Sequence, residues 1–213
     1  MGFITLYHGS PNPILEPGFE KGKEHHDYGK GLYLTPDKQL AREWAVCNET
    51  DGYLFALDID LDGLNVLDFD QYDPLVWIAE LMSHRDADNS VRYKRFAPQF
   101  IRKYKMDTSA FDVIRGWRAD SSYFLIAKRF VRDELDASLL RTALKLGDLG
   151  IQYCIKSERA FKTLDKFYEP IEAVSMDTYL KRYNERDYAA RQRLYELINS
   201  ERNTLKDTFS NYI

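Results

Sequence analysis

Apolar and polar residues alternate along several stretches of this chain, which is the pattern of half-buried strands. The alternation is clearest over residues 53–61, where Phe55, Leu57 and Ile59 share one face and Asp58 and Asp60 fall on the other. This stretch predicts a central antiparallel strand. Other runs predict strands, or an extended strap in the last case, at residues 3–7, 32–34, 64–69, 111–116, 151–156 and 168–174.

Elsewhere the apolar residues recur every three or four positions, which predicts amphipathic helices. Thr35 is expected to cap the first of them, with Pro36 at its first position and Asp37 where the helix dipole favours an acid. Asp120 is expected to cap a later helix, and Gly147 to end the next one. The pattern predicts helices at residues 36–48, from 73 onward, at 91–105, after 120–122, at 138–146, at 158–164 and in the tail 175–213.

Length and charge narrow the class of protein. A chain of 213 residues can bury a sizeable core. Its 34 acidic residues slightly exceed its 30 Lys and Arg, so no global basic field indicates a nucleic-acid or membrane partner. Two cysteines, Cys47 and Cys154, are too few for a disulfide scaffold and predict a reducing cytoplasm. The start lacks a basic leader and no stretch is apolar for long enough to span a membrane, so we expect neither a signal peptide nor a membrane helix.

Two local stretches leave alternatives open. Residues 91–105 interleave Lys and Arg with aromatic residues, which is typical of an amphipathic helix with snorkelling cations or of a surface that contacts nucleic acid or an acidic partner. The adjacent His25 and His26 have no second pair at metal-ligand spacing, so no metal site is predicted. Their loop can instead cover a bound ligand.

The candidate chemistry lies in two short motifs. The first is Leu-Tyr-His-Gly-Ser, a strand that ends in His8 and is followed by Gly9 and Ser10. The second is Gly-Lys-Gly-Leu-Tyr-Leu-Thr, a flexible turn that leads into a strand carrying Tyr33. An open glycine backbone beside a histidine can hold a polar ligand edge, and an aromatic ring fixed beside a turn can stack on a planar ligand.

Together these motifs resemble the first two signature motifs of the diphtheria-toxin-like ADP-ribosyltransferases, the group that includes the poly(ADP-ribose) polymerases. The resemblance implies NAD as co-substrate, with His8 on the adenosine ribose, the Gly9 backbone on the carboxamide and Tyr33 stacked on the nicotinamide. Trp44, on the following helix, would form a second aromatic wall, although core packing is the favoured explanation of a large aromatic residue on a helix face. The resemblance also assigns Ser10, Gly31 and Thr35 to the NAD site.

The third motif of that group departs from the pattern. It is a strand that normally opens with a catalytic glutamate, and here Gln152 stands at that position. A carboxylate can stabilise the positive charge that develops on the ribose, whereas an amide can orient a hydroxyl but cannot act as a general base. The sequence therefore favours mono-ADP-ribosylation over chain elongation, with His8, Tyr33 and Gln152 as the catalytic set, and it leaves loss of activity open.

The resemblance implies an α+β fold in which two small antiparallel sheets form a split core around an NAD cleft. We expect a catalytic domain over residues 1–172, a helical insertion at about 73–106 and a helical extension over 173–213. The acceptor is undetermined between protein, nucleic acid and water. The resemblance extends to small bacterial toxin-like proteins, which implies a toxin or phage-defence effector with a possible antitoxin partner. The alternative is a catalytically inactive module that binds NAD, ADP-ribose or a protein partner.

Overall fold

Two β-sheets organise the protein, which we describe from a computed structural model over residues 3–86, 88–119, 121–146 and 150–213. The first sheet has the strand order β1 (Phe3–Ser10), β3 (Gly52–Asp60) and β7 (Glu172–Val174), and both pairings are antiparallel. The second has the order β2 (Leu32–Leu34), β6 (Ile151–Ile155), β5 (Val113–Trp117) and β4 (Val66–Asp68). The expected α+β fold with two sheets is confirmed, as is the central position of β3.

Seven α-helices lie within the described ranges. They are α1 (Lys38–Ala45), α2 (Pro74–His84), α3 (Val91–Tyr104), α4 (Ser121–Val131), α5 (Leu140–Ala143), α6 (Glu158–Phe161) and α7 (Met176–Ile198). The predicted cap at Asp120 and the predicted helix end at Gly147 lie outside the described residues.

The strand that follows β3 in the chain belongs to the second sheet. Following the Asp62-Gly63 turn, β4 does not pair with β3 but runs parallel to β5 in the second sheet. Asp112 ties the start of β4 to β5, because its carboxylate accepts the Asn65 backbone N–H at 2.7 Å and pairs with Arg159. These donors hold the pKa of Asp112 down at about 2, so the charge that anchors this crossing persists at neutral pH.

Strand β1 is longer than predicted, because it continues through Gly9 to Ser10 instead of ending at His8. The extra residues pair with β3, Gly9 opposite Leu54 and Ser10 opposite Tyr53. The cap of α1 also differs from the prediction. Asp37 caps this helix by accepting the Gln39 N–H at 2.8 Å and the Leu40 N–H at 3.2 Å, so the helix begins three residues after Thr35.

The basic and aromatic stretch is confirmed as an amphipathic helix, α3. Tyr93 and Phe100 are buried, and the Phe100 ring contacts those of Phe130 and Phe209 in the larger hydrophobic core. Tyr93 and Phe100 are therefore core residues and not platforms for stacking bases. Arg92, one of the exposed cations of this helix, pairs with Asp133.

The tail folds mainly into the long helix α7, which packs on α1 and α4. Its main electrostatic anchor is Arg186, which donates to Glu43 of α1 through Nε at 2.9 Å and Nη2 at 2.5 Å. The Glu43 side chain is only 2% exposed. In the part of the chain that the structure describes, no helix has the length and apolarity needed to cross a bilayer.

We predict that Arg186→Met costs about 3–5 kcal/mol of the free energy of unfolding, because it leaves the Glu43 carboxylate buried without its partner. Chemical denaturation measures the loss. Arg193→Met is the control, because Arg193 lies on the exposed side of the same helix. The double variant Glu43→Gln/Arg186→Met should recover much of the loss, and equal losses for Arg186→Met and the control would contradict the assignment.

Candidate functional site

One pocket of about 630 Å³ lies where the end of β1 meets β2, α1 and β6. The residues that line it come from positions far apart in the chain. Six of the residues assigned from the sequence to the NAD site or the catalytic set are among them: His8, Gly9, Gly31, Tyr33, Trp44 and Gln152.

A backbone bridge brings the two motifs together. Tyr7 and Thr35 exchange both backbone hydrogen bonds, with N···O distances of 2.8 and 2.9 Å. One residue further, the His8 ring donates from Nδ1 to the Tyr33 carbonyl at 2.8 Å. Because a carbonyl only accepts, this bond assigns the proton to Nδ1 and leaves Nε2 as an acceptor. Burial lowers the pKa of His8, so the ring is neutral at neutral pH.

Gly9 allows close contact between β1 and α1. A Cβ atom at this position would lie 1.8 Å from the carbonyl oxygen of Ala41 and 2.6 Å from the backbone nitrogen of Ala45. Backbone groups along an antiparallel strand point alternately to its two edges, and those of Tyr7 face β2. Gly9 therefore directs its N–H and C=O to the same edge, where the pocket lies.

Tyr33 is held as a fixed ring. Its hydroxyl donates to the Gly29 carbonyl at 2.7 Å and accepts the Tyr28 N–H at 3.0 Å. The ring stacks on Tyr28 at 6.3 Å between centroids and has the tilted ring of His26 at 5.2 Å. Burial raises the pKa of the Tyr33 phenol, so it is not a candidate general base. What the residue offers a ligand is its aromatic surface.

Trp44 and two residues from distant segments form another wall. The Arg118 guanidinium lies over the Trp44 ring at 4.8 Å from its centroid. Tyr183, on α7, also lines the pocket. This side thus combines aromatic rings with a cation, an arrangement suited to a planar or anionic ligand.

Gln152 is the second residue of β6, close to the strand start where the third motif is expected, and is 3% exposed. Its Nε2 donates to Asp27 Oδ2 at 2.8 Å and to the Trp117 carbonyl at 3.3 Å. Asp27 also accepts from Arg85 at 2.6 Å and from the Ala119 N–H at 2.8 Å. A buried carboxylate therefore stands directly behind the amide.

Two of the residues that the resemblance assigned to the NAD site are not in the pocket lining. Ser10 Oγ accepts the Asn12 N–H at 3.0 Å. Thr35 is buried, and its Oγ1 donates to the Ile151 carbonyl at 2.9 Å and accepts the Asp37 N–H at 3.1 Å. Neither is among the described residues that line the pocket. Both hydroxyls bond to nearby backbone groups instead.

The sequence of residues 4–167 matches the model of a family described as "Protein of unknown function (DUF3990)". The chain belongs to this family. The match covers well over half of the chain and includes His8, Tyr33 and Gln152. No curated protein and no solved structure matches the chain.

The lining residues that sequence reasoning missed include Asp27, Arg85 and Arg118, which lie within the DUF3990 range, and Tyr183, which lies beyond it. Asp27 stands at the start of the glycine motif and could have been noticed there. Arg85 follows α2 in a loop, and Tyr183 sits in a helical tail without any catalytic pattern, so no local signal identified them. Within the described ranges, no cluster of three or more His, Cys, Asp or Glu could hold a metal ion.

We predict that Gly9→Ala displaces α1 and with it Trp44, because the new methyl group would overlap the helix backbone. The loss of unfolding free energy should exceed that of Gly63→Ala. At Gly63 nothing lies within 4 Å of the new Cβ and only the φ of 77° opposes the change, a cost of about 1–2 kcal/mol. Denaturation curves and Trp fluorescence measure both effects, and equal losses at the two glycines would refute the close approach.

We also predict that the stability of the fold depends on pH through His8. The pKa of His8 is lowered in the folded chain from its ordinary value of 6.5, so between the two values the unfolded chain binds more protons and stability falls as pH falls. The variant His8→Asn keeps a donor for the Tyr33 carbonyl but does not titrate. The stability advantage of the wild type over this variant should therefore shrink from about pH 7.5 to about pH 5.5. An advantage that stays constant would contradict a neutral, buried His8.

Proposed function

We propose that this protein transfers ADP-ribose from NAD to a macromolecular acceptor and releases nicotinamide. The observation that carries the proposal is the convergence of His8, Gly9 and Tyr33 on one pocket. Its volume of about 630 Å³ suits a small organic ligand or cofactor.

The nicotinamide half would bind where the Gly9 backbone meets the Tyr33 ring. The carboxamide needs one acceptor and one donor, which the C=O and N–H of Gly9 can supply at the open edge of β1. The pyridine ring would stack on Tyr33, whose hydroxyl is already engaged by Gly29 and Tyr28. His8 Nε2 would accept from a hydroxyl of the adenosine ribose.

In the proposed reaction the bond between the ribose C1′ and the nicotinamide nitrogen breaks, and its electron pair leaves with nicotinamide. The acceptor atom then bonds to C1′ and gives its proton to solvent. Gln152 would hold a ribose hydroxyl. The Gln152 amide cannot take the proton that the acceptor loses. Positioning and electrostatics must therefore supply most of the acceleration. The acceptor is therefore expected to be a good nucleophile.

We also propose a domain organisation and a cellular compartment for this activity. We take residues 1–172 as the catalytic domain, with α7 contributing Tyr183 to the pocket wall. Cys47 and Cys154 are both free thiols, which suits action in a reducing cytoplasm. An effector of this kind, a toxin or a phage-defence protein, would need restraint in its own cell, for example by an antitoxin.

A second candidate is a module that binds NAD or ADP-ribose without turning it over. Gln152 in place of a carboxylate favours it. The two candidates differ in nicotinamide release, which only the enzyme produces.

We predict that Tyr33→Ala weakens NAD binding by about tenfold or more, because base-stacking on an aromatic ring contributes about 1–3 kcal/mol. Calorimetric titration with NAD measures the affinity. Tyr33→Phe keeps the ring and should retain most of it, and Tyr188→Ala is the control because Tyr188 is 65% exposed on α7. An unchanged affinity for Tyr33→Ala would remove the stacking role.

The acceptor is found by incubating cell lysate with NAD labelled on its adenylate half and separating protein, DNA and RNA. Label on one macromolecular fraction, together with free nicotinamide, supports the transferase. Free nicotinamide with the label left on small molecules indicates water as acceptor. NAD binding without nicotinamide release selects the non-catalytic module.

A further inference from the structure

We propose that Asp27 is the positioning residue of this site: its buried carboxylate holds the Gln152 amide so that the amide oxygen, Oε1, faces the ligand. Asp27 and Gln152 then act as one unit, and residue 152 must be a hydrogen-bond donor toward Asp27. This inference rests on the function proposed above for the sugar-binding role of Gln152, but the coupling between the two side chains can be measured without it.

The first argument is the way in which Asp27 is held. It is 7% exposed. Oδ1 accepts from Arg85 at 2.6 Å, while Oδ2 accepts from the Ala119 backbone and from Gln152, each at 2.8 Å. All three partners are donors, so the site is built for an ionised carboxylate. A protonated or amide side chain at position 27 would set a donor against a donor.

The second argument is the orientation of the Gln152 amide. Its two N–H groups have two acceptors, Asp27 Oδ2 at 2.8 Å and the Trp117 carbonyl at 3.3 Å. The Trp117 carbonyl is itself fixed, because it accepts the Tyr28 hydroxyl at 2.6 Å. Neither acceptor can bond to an amide oxygen, so a flipped amide is excluded. Oε1 is the polar atom that Gln152 has left to offer a hydroxyl in the pocket.

The third argument explains why residue 152 is an amide. A glutamate in the same rotamer would bring a second carboxylate oxygen within about 3 Å of Asp27, and two carboxylates at such a distance do not both ionise. One would have to take up a proton and the pair would titrate as a unit. With Asp27 in place, glutamine is the residue that presents an oriented acceptor at every pH near neutrality.

The test is a double-mutant cycle between positions 27 and 152, followed by nicotinamide release. Asp27→Asn should lower kcat by an order of magnitude or more with a smaller change in the KM for NAD, because the oxygen that steadies the sugar is no longer fixed. Gln152→Glu should also lower kcat near neutral pH and introduce a new pH dependence. Asp27→Asn/Gln152→Glu restores one donor facing one carboxylate, so its kcat should exceed that of either single variant.

Asp88→Asn is the matched control. Asp88 is a buried carboxylate, 6% exposed, that pairs with Arg132 and does not line the pocket. Its loss should lower stability without changing the ratio of kcat to KM or the pH profile of the folded enzyme. The same changes in the control as in Asp27→Asn would overturn the positioning role.

A double variant whose effect is the product of the two single effects would also overturn the proposal, as would a Gln152→Glu enzyme as active as the wild type. If the wild type neither binds NAD nor releases nicotinamide, the proposed function fails. The cycle is then read from denaturation midpoints. A double variant with a higher midpoint than both single variants supports the coupled pair, and additive shifts refute it.

Discussion

Two backbone hydrogen bonds join Tyr7 of β1 to Thr35, the residue that follows β2, and so connect the two sheets. Side chains alternate along a strand, so the position of this bridge determines where the neighbouring residues His8 and Gly9 lie. The His8 ring reaches the Tyr33 carbonyl, and Gly9 comes against α1. The bridge is isolated, so the two strands meet here without continuing as one sheet, and the pocket lies beside it.

Two buried polar groups of the pocket, the Asp27 carboxylate and the Tyr33 hydroxyl, are satisfied by neighbouring groups, which is the condition for burying them. Asp27 is compensated by Arg85, the Ala119 N–H and the Gln152 amide. The Tyr33 hydroxyl donates one hydrogen bond to the turn that precedes it and accepts one from it. The groups that can meet a ligand include the His8 imidazole acceptor, the open Gly9 backbone, the Tyr33 ring and the Trp44 indole N–H, together with the Gln152 amide oxygen in the arrangement proposed above. These groups suit a ligand with a flat ring and several hydroxyls.

The helix α7 makes the C-terminal segment part of this site. It lies beyond the region that matches the DUF3990 family, yet Tyr183 lines the pocket and Arg186 pairs with the buried Glu43 of α1. Since α1 also carries Trp44, a change in how α7 is seated would reach the pocket wall through one helix. The pocket thus includes a residue that lies outside the range matched by the family.

Local features could be predicted from the sequence alone: the strand at 53–61, the helix at 91–105, and the two glycine-containing motifs with His8, Gly9 and Tyr33. Such features follow from side-chain periodicity and from the backbone freedom of glycine, which are properties of neighbours along the chain. Three features required the folded structure: β4 joins the second sheet, the hydroxyls of Ser10 and Thr35 bond to backbone groups, and Arg85, Arg118 and Tyr183 reach the pocket. Those outcomes depend on which groups satisfy each buried donor and acceptor, and the partners are separated by tens of residues, so no local pattern records them.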